Sequence, residues 1–348
     1  MKQRTKTKTA ILLSICIVAM IATAYVLTDR RDLLQRSDKV TTITGWAEYQ
    51  PSSSPLEFDH LWLSNDTILF ARGGRATEPY VYHFFRRNVV DNTEEEMHQL
   101  SASLHDVSAF HGIYPSPDAA WFVAPRARIE DADLVSVHSK RSYVLHPTIG
   151  RCFWLKDGHQ FAFLDGNDKF SEAIIRDIDS PLKTRRVRLK TEIPFTPYWQ
   201  IRDCGDHFSV LTLSEYPYEA KQMDVYETGF GIEPFREQKH RIPIPVEAEL
   251  RECRLSPQGD RVAFLLYVEQ QTLLETILRR FLPTFTQPKQ QRIELWISGL
   301  KGDAHCLGVM RLPDTPDISR PYSMKWLPDG KRISYIYDNA IWIITADK

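Results

Sequence analysis

The chain has 348 residues, enough for one large domain or two ordinary ones. Hydrophobic residues make up 43% and charged residues 26%, an ordinary globular balance with ample material for a core. A formal net charge of −1 excludes a global basic field of the kind that holds nucleic acid, so any recognition by charge must be local.

Residues 1–9 form a basic tail with Lys2, Arg4, Lys6 and Lys8. Residues 10–27 follow as 18 uncharged, mostly apolar residues, at the lower end of what spans a bilayer as a helix. Two readings compete for them. Ala22-Thr23-Ala24 has the small-x-small form of a signal-peptidase site, and cleavage after Ala24 would leave a secreted protein. The apolar run, however, continues through Leu27, which favours an uncleaved transmembrane anchor. In both readings the basic tail stays in the cytoplasm, too short for a signalling domain, and the body lies outside it, periplasmic or extracellular.

Residues 28–39 are charged and read as a stalk. Val40 to Tyr49 is rich in β-branched residues and predicts a strand, and Gln50 to Leu56 predicts a turn region. From there the chain repeats itself. "WLKDG" at Trp154–Gly158 and "WLPDG" at Trp326–Gly330 are near-copies, each followed by an alternating apolar strand. Weaker copies stand at Trp62–Asp66, Tyr114–Asp118, Trp199–Asp206 and Leu255–Asp260. Recurrence at this interval marks stacked supersecondary units. The six copies predict an all-β chain, a six-bladed β-propeller over residues 40–348, preceded by the N-terminal transmembrane or signal helix. Each unit opens on a short aromatic strand and an Asp-Gly or Pro-Asp turn, whose residues tolerate unusual backbone angles.

Three segments carry a family resemblance. They are Ser116-Pro117-Asp118 with Trp121-Phe122-Val123, Leu255 to Phe264 (LSPQGDRVAF), and Trp326 to Ile333 (WLPDGKRI). They resemble TolB-type, WD-like β-propeller repeats, and the likeness runs from about Leu61 to Lys348. The first and fourth copies depart from the pattern. Ser64-Asn65-Asp66 is short and lacks the glycine, and Arg202 to Asp206 holds extra residues. The resemblance implies a rigid ring whose loops bind macromolecules, and it is nearly silent on the ligand.

The last repeat stops at Lys348 with room for only three strands. The strand predicted at Val40–Tyr49 is expected to supply the fourth and join the ends of the ring. Residues 269–292 of the fifth repeat form an insertion. Within it, Leu274, Ile277, Leu278 and Phe281 recur at helical spacing, an apolar face that either packs on the propeller rim or meets a partner.

Catalytic signatures are sparse. The sequence holds no Gly-x-Ser-x-Gly elbow, HExxH, P-loop or GxGxxG. Ser116-x-Asp118 superficially resembles a sialidase Asp-box, but Ala120 stands where that box needs glycine. The loop Asp165 to Asp168, with Glu172, offers oxygen ligands without the spacing of a calcium loop and reads as a hairpin turn. Neither a metal nor a cofactor is expected. Cys152, Cys204, Cys253 and Cys306 lack CxxC spacing and read as small apolar residues in strands, while Cys16 falls in the apolar segment.

One constellation points to binding. The segments entering the innermost strands carry Asp59, His60, His111, Arg151, Arg251, Glu252 and Arg320. Converging guanidinium groups suit carboxylate or phosphate, because the planar fork bonds two oxygens at once. The expected function is therefore a non-catalytic extracytoplasmic binding or scaffold propeller for a protein, peptide or anionic ligand. The alternative is an enzyme of lactonase or glycosidase type, which would need three or more Asp, Glu, Asn or His converging on one point in the channel.

Overall fold

The computed structural model describes residues 32–42, 56–73, 81–101, 114–118, 120–125, 132–136, 139, 141–145, 152–165, 169–194, 198–205, 207–213, 215, 219–229, 238–245, 248–270, 290–311 and 322–346. Their regular structure is entirely strand, arranged as six four-stranded antiparallel sheets. One strand, β1 (Asp38–Thr42), precedes the first blade. Blade 1 is β2 (Leu56–Trp62), β3 (Thr67–Gly73), β4 (Val81–Asn88) and β5 (Glu94–Ser101). Blade 2 is β6 (Tyr114–Pro115), β7 (Trp121–Pro125), β8 (Ala132–Ser136) and β9 (Ser142–Leu145). Blade 3 is β10 (Cys152–Trp154), β11 (Gln160–Asp165), β12 (Lys169–Asp177) and β13 (Ser180–Pro194). Blade 4 is β14 (Tyr198–Asp203), β15 (Phe208–Leu213), β16 (Gln222–Thr228) and β17 (Gln238–Pro243). Blade 5 is β18 (Ala248–Leu255), β19 (Arg261–Gln270), β20 (Gln290–Gly299) and β21 (His305–Arg311). Blade 6 is β22 (Tyr322–Trp326), β23 (Arg332–Tyr337) and β24 (Ala340–Thr345), completed by β1. The chain is thus a six-bladed β-propeller, as its repeats predict.

The core lies between the blades. Neighbouring sheets cover one another's faces at the seams between blades 2 and 3, 3 and 4, 4 and 5, 5 and 6, and 6 and 1, so central strands are apolar on both sides rather than alternating. All six residues of β15 are buried. Leu211, Val225 and Ile242 of blade 4 pack against Leu250, Val262 and Phe264 of blade 5. Phe153, Leu164 and Ile175 of blade 3 pack against Ile201 and Val210 of blade 4. Trp62, Ile68 and Phe70 of blade 1 pack against Ile336, Ile341 and Ile343 of blade 6.

The ring closes as its ends predict, with a shift in where the closing strand starts. β1 pairs antiparallel with β24, in the register Asp38↔Ile343, Lys39↔Trp342, Thr41↔Ile341 and Thr42↔Ala340. The carbonyl of Thr42 accepts from Arg87 of blade 1 (2.9 Å), which ties the closing strand to both sides of the seam. Residues 43–50, the remainder of the expected strand, lie outside the described residues.

The expected stalk needs correction. Asp38 and Lys39 belong to β1, and residues 32–37 pack on the ring. Leu33 is fully buried among Leu295, Leu307, Tyr335 and Ile344. Its N–H donates to the carbonyl of Val309 on β21 (2.9 Å). Tyr335 donates to Ser37 Oγ (2.8 Å), and Ser37 donates to the carbonyl of Leu33 (2.6 Å). The charge-rich composition concealed this, because one buried leucine and a few side-chain hydrogen bonds anchor the segment.

The insertion is also narrower than expected. The β19–β20 ladder continues out to Gln270↔Gln290, so 269–270 and 290–292 are strand. The helical face at Leu274, Ile277, Leu278 and Phe281 lies outside the described residues, as do residues 1–31 with the predicted membrane segment. Among the described residues, no helix is long and apolar enough to cross a membrane.

Two outcomes test this closure. Leu33→Ala should destabilise the protein by about 2–5 kcal/mol, the usual cost of a buried leucine, read as a lower urea midpoint at unchanged slope. The second concerns Tyr335, whose phenol is pushed up by burial, against the lowering effect of its bond to Ser37. A folded value above the unfolded one of about 10 means its contribution is intact below that pH and fades above it. Stability should therefore fall as pH rises above about 10, and less steeply in Tyr335→Phe.

Candidate functional site

The repeated turns come first, because they carry the most regular carboxylates. In "WLPDG" the N–H of Leu327 donates to Arg332 O and that of Gly330 to Leu327 O, both 2.9 Å. Gly330 sits at φ +65°, a conformation that costs L side chains strain. Asp329 Oδ1 accepts from the N–H groups of Lys331 (2.8 Å) and Arg332 (3.2 Å), and Oδ2 accepts from Arg332 Nε (2.8 Å). "WLKDG" repeats this: Asp157 Oδ1 accepts from the N–H groups of His159 (3.0 Å) and Gln160 (3.3 Å). In blade 5, Ser256 Oγ takes the same role, accepting from the N–H groups of Asp260 (3.2 Å) and Arg261 (3.1 Å). These side chains satisfy backbone donors that the turn leaves over, an Asx- or Ser-type cap.

The turns also touch one another around one end of the channel. Asn65 Oδ1 of blade 1 accepts from the N–H of Asp329 in blade 6 (3.2 Å). Gln258 of blade 5 donates to Asp329 O (3.4 Å), Cys204 of blade 4 donates to Gln258 O (3.0 Å), and Asp203 Oδ2 accepts from the N–H of Lys156 in blade 3 (2.7 Å). That end of the channel is a belt of structural bonds.

A second set of bonds ties the innermost strands β14, β18 and β22, and β2 to blade 6; among the described residues the inner edges of these strands have no ladder partner. Gln200 of β14 uses its amide twice on β18, donating to Cys253 O (2.8 Å) and accepting from the N–H of Leu255 (3.0 Å). One strand further on, Glu252 accepts from the N–H of Met324 (2.9 Å), and Arg254 donates to the carbonyl of the same residue (3.1 Å). Glu252 and Arg254 also pair with each other at 2.5 Å. On the next seam, His60 Nε2 lies 2.8 Å from Ser334 Oγ, which also accepts from Trp62 Nε1 (2.7 Å).

This geometry distributes the expected mouth residues unevenly. His60 is completely buried and Glu252 is engaged between blades, so both act as inter-blade ties. Periodicity could not reveal this, because their partners lie 274 and 72 residues away. Arg251 is different: its side chain is 43% exposed, 2.9 Å from Glu249, with the guanidinium 4.8 Å from the ring centre of Tyr267. Asp59 lies in β2, at a register shift between Phe58 and His60. His111, Arg151 and Arg320 lie outside the described residues.

Sequence reading also missed a regularity of the mouth. β2, β18 and β22 each break register at nearly the same level: at Asp59, at Arg251, and at Ser323-Met324. These strands belong to consecutive blades 1, 5 and 6, and Ser323 is left-handed at φ +53°. A bulge leaves one residue out of the ladder and re-aims its side chain, and such devices concentrate beside functional sites. No shared local signal marks them in the sequence, since Asp59, Arg251, Ser323 and Met324 have no residue type or motif in common.

Blade 4 holds another grouping assembled by register alone. Glu227 of β16 faces His240 of β17 (Oε2 to Nε2, 2.9 Å) and His207, just before β15 (Oε1 to Nε2, 3.5 Å). Among the described residues, no cluster of three or more His, Cys, Asp or Glu has the arrangement of a metal site. Asp165 and Glu172 of the former calcium candidate both contact Arg186, at 2.6 and 3.2 Å. Among the described residues no disulfide joins Cys152, Cys204, Cys253 and Cys306, and burial pushes the Cys152 thiol up against the lowering field of Arg176.

No protein-family model and no curated protein matches the chain. Solved structures do resemble it. The β-propeller domain of the trilobed protease from Pyrococcus furiosus is 13% identical, at a TM-score of 0.44, covering 86% of this chain and 83% of that one. An oligogalacturonate lyase from Vibrio parahaemolyticus is 8% identical, at 0.46, covering 86% and 93%. Hydrazine synthase from Kuenenia stuttgartiensis is 12% identical, at 0.45, covering 84% and 77%. The six-bladed architecture rests on the sheet order of this chain itself.

The turn belt can be tested through its glycines. A Cβ on Gly259 (φ +74°) would stand 2.5 Å from Cys204 Sγ and 2.6 Å from Ser209 Oγ. On Gly302 (φ +85°) it would meet nothing within 4 Å. Gly302→Ala should cost about 1–2 kcal/mol, from backbone strain alone. Gly259→Ala should cost clearly more, measured by urea unfolding of both variants.

Proposed function

We propose that this chain is a non-catalytic binding propeller that recognises an anionic ligand, or the acidic or carboxyl end of a peptide or protein, at the mouth where the innermost strands begin. The observation that carries this reading is Arg251. It stands at a β-bulge, half exposed, its guanidinium laid over Tyr267 with the exposed Glu249 as its one counter-charge among the described residues. A guanidinium held on an aromatic face keeps its outward donors free for a carboxylate or phosphate. The matching bulges in blades 6 and 1 support one continuous recognition sector. Arg151 and Arg320 complete the proposed site, and the insertion face at Leu274, Ile277, Leu278 and Phe281 is a second proposed contact for a partner. The N-terminal apolar segment supports a membrane-anchored propeller outside the cytoplasm. The turn carboxylates favour binding over catalysis, because Asp157 and Asp329 are spent on backbone N–H groups.

Calorimetric titration of the full chain with citrate and with pyrophosphate tests the mouth. Binding should weaken with salt, and Arg251→Ala should weaken it roughly tenfold, the effect of one charge-assisted pair. Equal binding by Arg251→Ala would remove this residue from the site. Turnover of lactone or glycoside substrates would favour the enzymatic alternative.

A further inference from the structure

The outermost strand of a propeller blade has a free edge, and the described blades treat that edge differently. β5, β9, β17 and β21 are short, at 8, 4, 6 and 7 residues. The edge of β21 is also occupied by the chain itself: Asp32 bridges Val309 in parallel, the N–H of Leu33 donates to Val309 O, and Arg36 donates to Leu307 O. β24 is covered by β1. β13 is the exception in length, with 15 residues whose ladder to β12 shifts register at two places, and among the described residues no strand lies beyond it.

Its side chains are as distinctive as its length. Lys183, Arg185, Arg186 and Arg188 are all exposed in a chain whose net charge is only −1. They flank both faces: Arg185 stands opposite Ile175, while Arg186 and Arg188 stand opposite Ile174 and Glu172. Arg186 is matched by Asp165 and Glu172. Lys183, Arg185 and Arg188 contact no carboxylate among the described residues. Leu182, at the start of this run, is 71% exposed.

We propose that β13 is a docking edge for an acidic, extended segment of a partner protein, which adds to blade 3 as a fifth strand. The unpaired backbone supplies the ladder bonds of strand addition, and flanking cations on both faces select carboxylates at either parity of the incoming strand. The way residues 32–33 lie against β21 shows the same kind of edge accepting an added segment within this molecule. Positive side chains on an edge also discourage self-pairing, so the same residues exclude a second copy of β13 while admitting an acidic chain.

Fluorescence anisotropy of a labelled, alternating Glu-Val peptide with the full-length protein tests this. Three comparisons are decisive: an alternating Lys-Val peptide, the Glu-Val peptide N-methylated at alternate residues, and the protein carrying Lys183→Glu, Arg185→Glu and Arg188→Glu. The Glu-Val peptide should bind and the Lys-Val peptide should not. Both N-methylation and the triple substitution should weaken binding roughly tenfold or more, since one removes ladder bonds and the other the charge match. The N-methylated probe needs only the unaltered protein, so it decides the matter even if the triple variant misfolds. If N-methylation leaves binding unchanged, or polygalacturonate binds as well as the peptide, the attraction is to any polyanion and strand addition is wrong. If the triple variant self-associates yet binds the peptide as before, the charges serve only to protect the edge, and the proposal fails.

Discussion

A four-stranded sheet with two apolar faces cannot be buried by one neighbour. This constraint governs the molecule: each blade needs a sheet on either side, and the requirement ends only when the ring closes. Trp62, Ile68 and Phe70 on one side of the seam, with Ile336, Ile341 and Ile343 on the other, are buried because blade 6 meets blade 1. β1 makes that meeting possible. It completes blade 6 from the other end of the chain, and Arg87 of blade 1 holds its final carbonyl. The preceding residues extend the lock, since Leu33 and Ser37 fix the chain against Tyr335 and Val309.

Inside its outer edges, a ring of sheets leaves unpaired backbone in two places, the tight inner turns and the inner strand edges. The molecule answers each with side chains from the next blade. Turn carboxylates and serines cap local N–H groups, and residues such as Asn65 and Asp203 reach the adjoining turn. Along the channel, Gln200, Glu252 and Arg254 reproduce ladder bonds with side-chain atoms. Buried polar groups are tolerated here because they are paired, and pairing across seams makes the relative placement of blades specific as well as stable. Polar groups left over from these duties are the better candidates for recognition. Arg251 at the mouth and the cations of β13 at the rim fit that description, at different places on the ring.

Much of the architecture was legible in the chain. The aromatic–turn–strand copies set the blade count, and the shortage of a fourth strand in the last repeat pointed to closure from the N-terminal side. The candidate site was less legible. Arg251 is half exposed over Tyr267, whereas His60 and Glu252, chosen by the same reasoning, turn inward to Ser334 and Met324. The register shifts that separate these outcomes depend on ladder geometry, which side-chain type does not encode locally.

What the sequence by itself determined is therefore what short-range physics controls: short apolar and aromatic runs that form strands, turns that need glycine and aspartate, and their sixfold recurrence. Gly158, Gly259 and Gly330 all adopt positive φ at the places their motifs indicate. The tertiary structure alone decided which polar groups meet. His207, Glu227 and His240 come together through strand pairing, and Asp32 to Ser37 became part of the ring rather than a stalk. The physical reason is distance along the chain. A capping bond spans two to five residues and is written locally, whereas a contact spanning 72 or 274 residues exists only once the ring has closed.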